Sequence, residues 1–418
     1  MEIFESIESN VRSYIRHFPV IFDKAKGSKI YDEYGNAFID FFAGAGSLNY
    51  GHNNPIVNKA LIKYLKSDGI TLSLDKATVA KREFLKRFNE IILLPRNLDY
   101  KIQFTGPTGA NSVEAALKLA RLIKKRQNII SFTNAYHGLS LGALAITGNS
   151  FYHNQFYSHR SNVAHMPYDG YFGEGFNTLS YMRRFLEDKG SGIELPAAII
   201  VEIIQCEGGV NIASISWLKE LELLCKELDI LLIVDDIQIG NGRTGRFFSF
   251  EEAGLYPDLV CISKSIGGGH PMALLLIKPE LDQWQPGKHT GTFRGNNLAM
   301  VASTEILNSY WQTNSLIESI DKNSKIIRTY LDLISQEIPE LNMKVKGRGM
   351  IWGLEIPKLG FPNKVISHAF KRKLIIETCG INNHTIKLIP PLIIKRELLK
   401  EGLDIFRDVI HGLSKDEG

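Results

Sequence analysis

A lysine and an aspartate at the ends of two apolar runs carry the chemistry of this sequence. Lys264 follows Val260-Cys261-Ile262-Ser263 and precedes Gly267-Gly268-Gly269. Asp235 closes the run Ile230-Leu231-Leu232-Ile233-Val234, beside Asp236 and three residues before Gln238. Short apolar runs of this kind read as buried strands. A carboxylate at such a strand end is costly to bury without a partner. A desolvated lysine titrates low enough to act as a nucleophile and then to move a proton. These are the two groups that pyridoxal 5'-phosphate requires: a lysine to bind it covalently and an acid to hold its ring nitrogen protonated. Gln238 would reach the ring's phenolic oxygen. An ordinary salt bridge would satisfy Asp235 equally well, and a lysine taken alone is usually a surface residue.

The elements that must position these groups alternate between strand and helix. Strands are predicted at 101–105, 128–132, 198–203, 230–235, 258–262 and 273–277, and helices at 111–125 and 216–228. Apolar strands covered by helices imply an α/β fold with a mostly parallel sheet buried on both faces. Ahead of them, residues 5–17 read as an amphipathic helix and 29–41 as a hairpin turning at Tyr34-Gly35-Asn36. Residues 300–335, 362–372 and 396–412 read as helical. The chain therefore divides into an N-terminal segment (1–55) that joins a small domain, a large domain (56–295), and a C-terminal small domain (296–418).

In an open α/β sheet a ligand sits beyond the carboxyl ends of the strands. Four segments fall there: 106–110, 134–138, 235–238 and 263–264. Thr108, Gly109 and Ala110 lead into a helix, where glycine permits close approach and free N–H groups attract a phosphate. Taken alone, that loop is a plain helix cap. Tyr136 would stack on an aromatic cofactor, although alone it reads as a packed aromatic, and His137 reads as a hydrogen-bonded core histidine. The convergence of the four segments carries the argument.

Composition limits the other classes. Net charge is +4, from 49 basic and 45 acidic residues, too small and dispersed an excess for nucleic acid. The four cysteines (Cys206, Cys225, Cys261, Cys379) form no CxxC pair and read as reduced, buried thiols. No metal site is expected. No signal peptide or membrane-spanning run is evident, so the expected location is cytoplasmic.

The most specific segment is Asp235-Asp236-Ile237-Gln238-Ile239-Gly240-Asn241-Gly242-Arg243-Thr244-Gly245, with Lys264 following 29 residues after Asp235. It resembles the motif D-E-x-Q-x-G-x-G-R-T-G of the class III (ω-amino-acid) aminotransferases, members of the fold-type I family of pyridoxal phosphate enzymes. The resemblance spans roughly residues 10 to 410. It implies a seven-stranded, mostly parallel sheet in the large domain and a small α/β domain built from both termini. It also implies that Thr108, Gly109 and Ala110 bind the cofactor phosphate, that Tyr136 stacks on the ring, and that Lys264 is the covalent anchor. Thr292, in Gly291-Thr292-Phe293-Arg294-Gly295-Asn296, would reach the phosphate of a partner subunit, giving a homodimer with shared sites. Dimers and tetramers both remain open.

Within the class the chain is most similar to the ectoine-pathway subgroup. The resemblance rests on segments 11–19, 42–52, 104–109 and 166–173. That subgroup moves an amino group between L-glutamate and L-aspartate 4-semialdehyde, giving L-2,4-diaminobutyrate and 2-oxoglutarate. Related enzymes bind the α-carboxylate of glutamate with an arginine, which a glutamate masks when the ω-amino substrate enters. Glu207 stands at the masking position, and Lys387 replaces the arginine. The sequence departs from the subgroup at Leu72, Lys76, Cys206, the segment 150–160 and the shortened glycine loop after Lys264. Ornithine, 4-aminobutyrate or β-amino-acid transamination stays open as an alternative, as do an amino-acid racemase and a non-catalytic binding module.

Overall fold

The computed structural model describes residues 1–157 and 160–416. Ser158 and His159 lie outside the described residues, so the departure expected over 150–160 can be followed only on either side of them. Glu417 and Gly418, at the end of the expected C-terminal domain, also lie outside.

Seven strands form the central sheet: β1 (Lys101–Gly106), β2 (Ile129–Phe132), β3 (Val163–Met166), β4 (Ala198–Val201), β5 (Leu231–Asp235), β6 (Leu259–Ile262) and β7 (Ala273–Ile277). Their order is β1-β7-β6-β5-β4-β2-β3. All contacts between neighbours are parallel except those of β7, which runs antiparallel to both β1 and β6. The period-2 alternation of each strand feeds two separate cores. Leu232, Val234, Val260, Ile262, Leu274 and Leu276 pack on one face. Leu231, Ile233, Leu259, Cys261, Leu275 and Ile277 pack on the other, against Val113, Ala116, Leu117 and Ala120 of the helix Gly109–Lys124. Strands buried on both faces read as continuous apolar runs, which is why most of them were predictable.

Three expectations need correction. The amphipathic helix over 5–17 is instead two short helices, Glu2–Ile7 and Tyr14–His17. Between them the Val11 N–H donates to Ser9 Oγ at 3.4 Å, a side-chain turn that competes with helix. The helix over 300–335 is two, Asn297–Tyr310 and Ser315–Glu337, parted at a polar turn where the Thr313 and Ser315 hydroxyls lie 2.9 Å apart. The strand over 198–203 stops at Val201, and Ile204–Gln205 turns away to pair with Asn211–Ile212.

Both ends of the chain meet beyond the central sheet. The hairpin strands Lys29–Asp32 and Ala37–Asp40 are antiparallel, and the second pairs in parallel with Leu374–Ile375. A further antiparallel sheet orders Lys344–Arg348, Ile351–Glu355, Thr385–Leu388 and Glu377–Cys379 side by side. All four cysteines are free and buried. No helix among the described residues is long and apolar enough to cross a membrane.

Candidate active site

The carboxyl ends of β1, β2, β4, β5 and β6 share one edge of the sheet, and the candidate residues gather there. Asp235 is the last residue of β5, in phase with Leu231 and Ile233. It is 5% exposed. Its Oδ2 lies 2.8 Å from His137 Nδ1, and its Oδ1 accepts from the Ile237 N–H at 3.1 Å. Asp236 falls on the opposite face, where its carboxylate accepts from the Ser249 N–H at 3.3 Å. Burial pushes Asp236 up to about 7. Strand periodicity thus sends two adjacent carboxylates to opposite faces of the sheet.

Lys264 follows β6, directly beside β5. Its backbone is left-handed, with φ +54°, a conformation costing about 1–2 kcal/mol for a side chain with a Cβ. The flanking serines hold it there. Ser263 Oγ donates to Met272 O at 2.9 Å, and Ser265 Oγ to Gly46 O at 2.8 Å. The Lys264 amine has no hydrogen-bond or ion-pair partner among the described residues. Burial pulls its pKa below the ordinary lysine value, against the nearby charge of Glu207.

Pro107 and Thr108 join β1 to the helix Gly109–Lys124, whose first two residues are Gly109 and Ala110. At its start the Thr108 N–H donates to Asn111 Oδ1 at 3.2 Å, part of a capping box, and Thr108 Oγ1 donates to the same oxygen at 2.9 Å. A Cβ on Gly109 would come within 3.0 Å of Ile237, and one on Gly138 within 2.9 Å of Ala110 Cβ. The Thr108–Ala110 segment, the Tyr136 loop and the end of β5 are therefore in contact, and two of those contacts depend on glycine. Tyr136 is half-buried, and its N–H donates to Glu202 Oε2 at 3.0 Å. Its ring meets Tyr152 edge-on at 5.3 Å. Burial raises Glu202 well above the usual carboxyl range, and Asp235 reinforces the effect.

Opposite the sheet edge sits a cluster of charge. Lys387 is fully buried in the strand Thr385–Leu388, and its Nζ lies 2.6 Å from Glu207 Oε1 and 3.0 Å from Glu377 Oε1. Burial works against the lysine's charge, but the two carboxylates outweigh it and hold its pKa well above the ordinary value. Burial also opposes ionisation of Glu207. The charges of Lys387 and Lys264, with bonds from Lys387 and Gln238, still keep Glu207 below the usual range. Gln238 Nε2 donates to Glu207 Oε1 at 3.1 Å and to Ala45 O at 2.9 Å. A bond from this amide nitrogen to a ring hydroxyl would have to displace one of these.

Thr292 is exposed, opening the turn Thr292–Gly295, and its side chain makes no hydrogen bond among the described residues. The turn is stitched to the segment holding Leu72 and Lys76. Leu72 bridges Asn296, the Ser73 N–H donates to Gly295 O at 2.9 Å, and Arg294 reaches Asp75 at 2.6 Å. Two of the sequence's departures are thereby attached to the Thr292 turn.

Sequence reasoning missed Glu377, the bond from His137 to Asp235, and the aromatic neighbours Tyr14 and Tyr152. Arg243 of the glycine-rich motif also proves structural. It is fully buried, and its Nη1 donates to Met350 O at 2.9 Å and to Pro390 O at 2.5 Å, while Nη2 donates to Asn49. One guanidinium thus ties the motif to both ends of the chain.

The site fits a phosphopyridine cofactor on its own features. It offers an unpartnered, half-buried amine, a buried carboxylate on the neighbouring strand, and a helix N-terminus within reach of the same loops. The Aminotransferase class-III family model matches residues 11–410. The chain is 58% identical over 410 residues to a diaminobutyrate–2-oxoglutarate transaminase of Wolinella succinogenes, covering 98% of this chain and 96% of that one. It is 53% identical to a protein of the same description from Halalkalibacterium halodurans, covering 99% and 97%. Among solved structures, a transaminase from the marine bacterium Virgibacillus superposes with a TM-score of 0.87 at 19% identity, covering 100% of this chain and 99% of the other. That likeness speaks for the fold.

Proposed function

The chain belongs to the class III aminotransferases, which work with pyridoxal 5'-phosphate, and we propose that it moves an amino group between L-glutamate and L-aspartate 4-semialdehyde, giving L-2,4-diaminobutyrate and 2-oxoglutarate. The observation that carries this reading is the joint presence of Lys264 and Asp235 at the sheet edge with the Glu207–Lys387 pair opposite them. Similarity above half identity to relatives so described supports the choice of substrates.

Lys264 would hold the cofactor covalently, Asp235 its ring nitrogen, Thr108 to Ala110 its phosphate, and Tyr136 its ring face. When bound, the cofactor supplies an electron sink for the bond broken at the amino-bearing carbon. The chain supplies the rest. Lys264 Nζ, whose pKa burial lowers, would be the group that takes the proton from that carbon. His137 orients the Asp235 carboxylate. Thr292, exposed and unbonded, is left for a partner subunit's site, in a homodimer. An exposed hollow lined by Pro55, Ile56, Ala60, Tyr64, Val79 and Val301 gives such a partner apolar surface to cover. Sedimentation of the active, cofactor-loaded enzyme as a monomer would overturn that assembly.

The substrate reading is tested by loading the protein with cofactor and adding diaminobutyrate, ornithine and 4-aminobutyrate separately. Diaminobutyrate is expected to convert the lysine-linked absorbance to that of the aminated cofactor. Faster conversion by ornithine or 4-aminobutyrate would replace the reading. Product formed without any keto acid would point to a racemase.

One site must accept both a carbon beside a carboxylate and a terminal carbon. With glutamate, the α-carboxylate replaces Glu207 at Lys387. With diaminobutyrate, whose terminal amine reacts, Glu207 stays and covers the cation. Lys387→Ala is expected to raise KM for glutamate about 10- to 100-fold, the worth of one hydrogen bond to a charged group, and KM for diaminobutyrate far less. Equal effects on both would sink the switch.

A further inference from the structure

Both hydrogens of the Gln238 amide are already engaged. Nε2 donates one to Ala45 O at 2.9 Å and the other to Glu207 Oε1 at 3.1 Å. A third acceptor can be served only if one of these is released, and the two are held differently. Ala45 lies in a turn of four consecutive left-handed residues: Ala43 (φ +48°), Gly44 (+57°), Ala45 (+55°) and Gly46 (+80°). Two of them carry a Cβ, so the turn persists only because its surroundings impose it. Asp40 Oδ1 accepts from the Phe42 and Ala43 N–H groups at 2.8 and 2.9 Å. Ser47 Oγ donates to Gly44 O at 2.8 Å, and Ser265 Oγ to Gly46 O at 2.8 Å. The Ala45 carbonyl is therefore fixed. Glu207 is fixed only at its backbone, where its carbonyl accepts from the Gly380 N–H at 2.9 Å. Its carboxylate rides on a flexible side chain, and Lys387 holds the same Oε1 at 2.6 Å without help from Gln238. Of the two acceptors, Glu207 is the one that can be given up.

Resting on the cofactor and the Glu207 exchange described above, we propose that Gln238 is a latch tying the Glu207 switch to occupancy of the cofactor site. In the empty site Gln238 and Lys387 both grip Glu207, and the switch is closed. To reach the ring's phenolic oxygen, Gln238 keeps Ala45 and leaves Glu207. Glu207 then rests on Lys387 alone and yields more readily to the α-carboxylate of glutamate. The coupling is reciprocal. Whatever takes Glu207 away from the amide frees Gln238 for the ring and tightens the cofactor's hold.

The test is a mutant cycle read on binding, not on turnover. The full-length protein is titrated calorimetrically with pyridoxamine 5'-phosphate, which carries the same phenolic oxygen and forms no covalent bond to Lys264. Glu207→Ala should tighten its binding about tenfold more in the wild-type background than in Gln238→Met, the worth of one hydrogen bond to a charged group. Removing a negative charge near an anionic ligand also favours binding, but equally in both backgrounds, so the difference isolates the latch. Equal gains in the two backgrounds would overturn the proposal. Should Gln238→Met fail to fold, Glu207→Asp decides instead, because it keeps the charge and draws the carboxylate back from Gln238 by one methylene. Binding tighter than wild type supports the latch, and equal or weaker binding overturns it. Failure of the wild type to bind pyridoxamine 5'-phosphate is a distinct result, which would overturn the functional reading and this inference with it. Binding with an additive cycle overturns the latch alone.

Discussion

Lys264→Ala is expected to lower turnover by about 10⁴-fold or more, the upper range for a positioned proton-transfer group, and to abolish the lysine-linked absorbance of the cofactor. No second amine can substitute. Lys387, the other lysine of the site, is held charged between Glu207 and Glu377. The loss should not reflect unfolding. The wild-type amine is half-buried with no hydrogen-bond or ion-pair partner among the described residues, and burial already disfavours its charged form, so removing it breaks no contact. Alanine keeps the left-handed backbone strain at φ +54°, so the stability gain is modest, about 1 kcal/mol or less. Activity, absorbance and urea midpoint measured on one preparation separate the two effects. Turnover within about tenfold of wild type in a folded variant would remove Lys264 from the chemistry.

The parts of this molecule that were legible in its sequence are those set by local pattern. Strands such as Leu231–Asp235, buried along their whole length, show as apolar runs whatever surrounds them. The β3 strand, Val163–Met166, went unseen because it lies at the sheet edge, where three of its four residues are only half-buried. Lys264 and Asp235 stood out because a charge at the end of an apolar run is a local anomaly. Glu377 did not, because its meaning comes from cross-strand register, which no local pattern encodes. His137 lies 98 residues from Asp235, so its role becomes visible only when β2 and β5 are brought into one sheet. The Glu207–Lys387 pairing was reached through family resemblance, not through spacing.

Asp235→Asn tests the other half of the site. The asparagine is isosteric, so a change in rate reports charge, not shape. The carboxylate receives the Ile237 N–H on Oδ1 and faces His137 Nδ1 with Oδ2. An amide keeps one oxygen for Ile237 and presents an NH₂ group to His137. The histidine can adapt by moving its proton to Nε2, which is buried without a partner. The local fold should therefore survive, and only the negative charge is lost. Without it, nothing in the site holds a ring nitrogen protonated. Glu202, the nearest alternative, is itself driven towards its neutral form by burial and by Asp235. Turnover is expected to fall about 10²- to 10³-fold, the scale for removing one preorganised electrostatic contact. Covalent attachment at Lys264 should persist, shown by a cofactor mass retained on the peptide after borohydride. His137→Phe, which keeps the charge and removes only its orientation, should cost about tenfold, the low end for a positioning group. A histidine variant slower than Asp235→Asn would reverse the assignment, making the imidazole the working group and the aspartate its support.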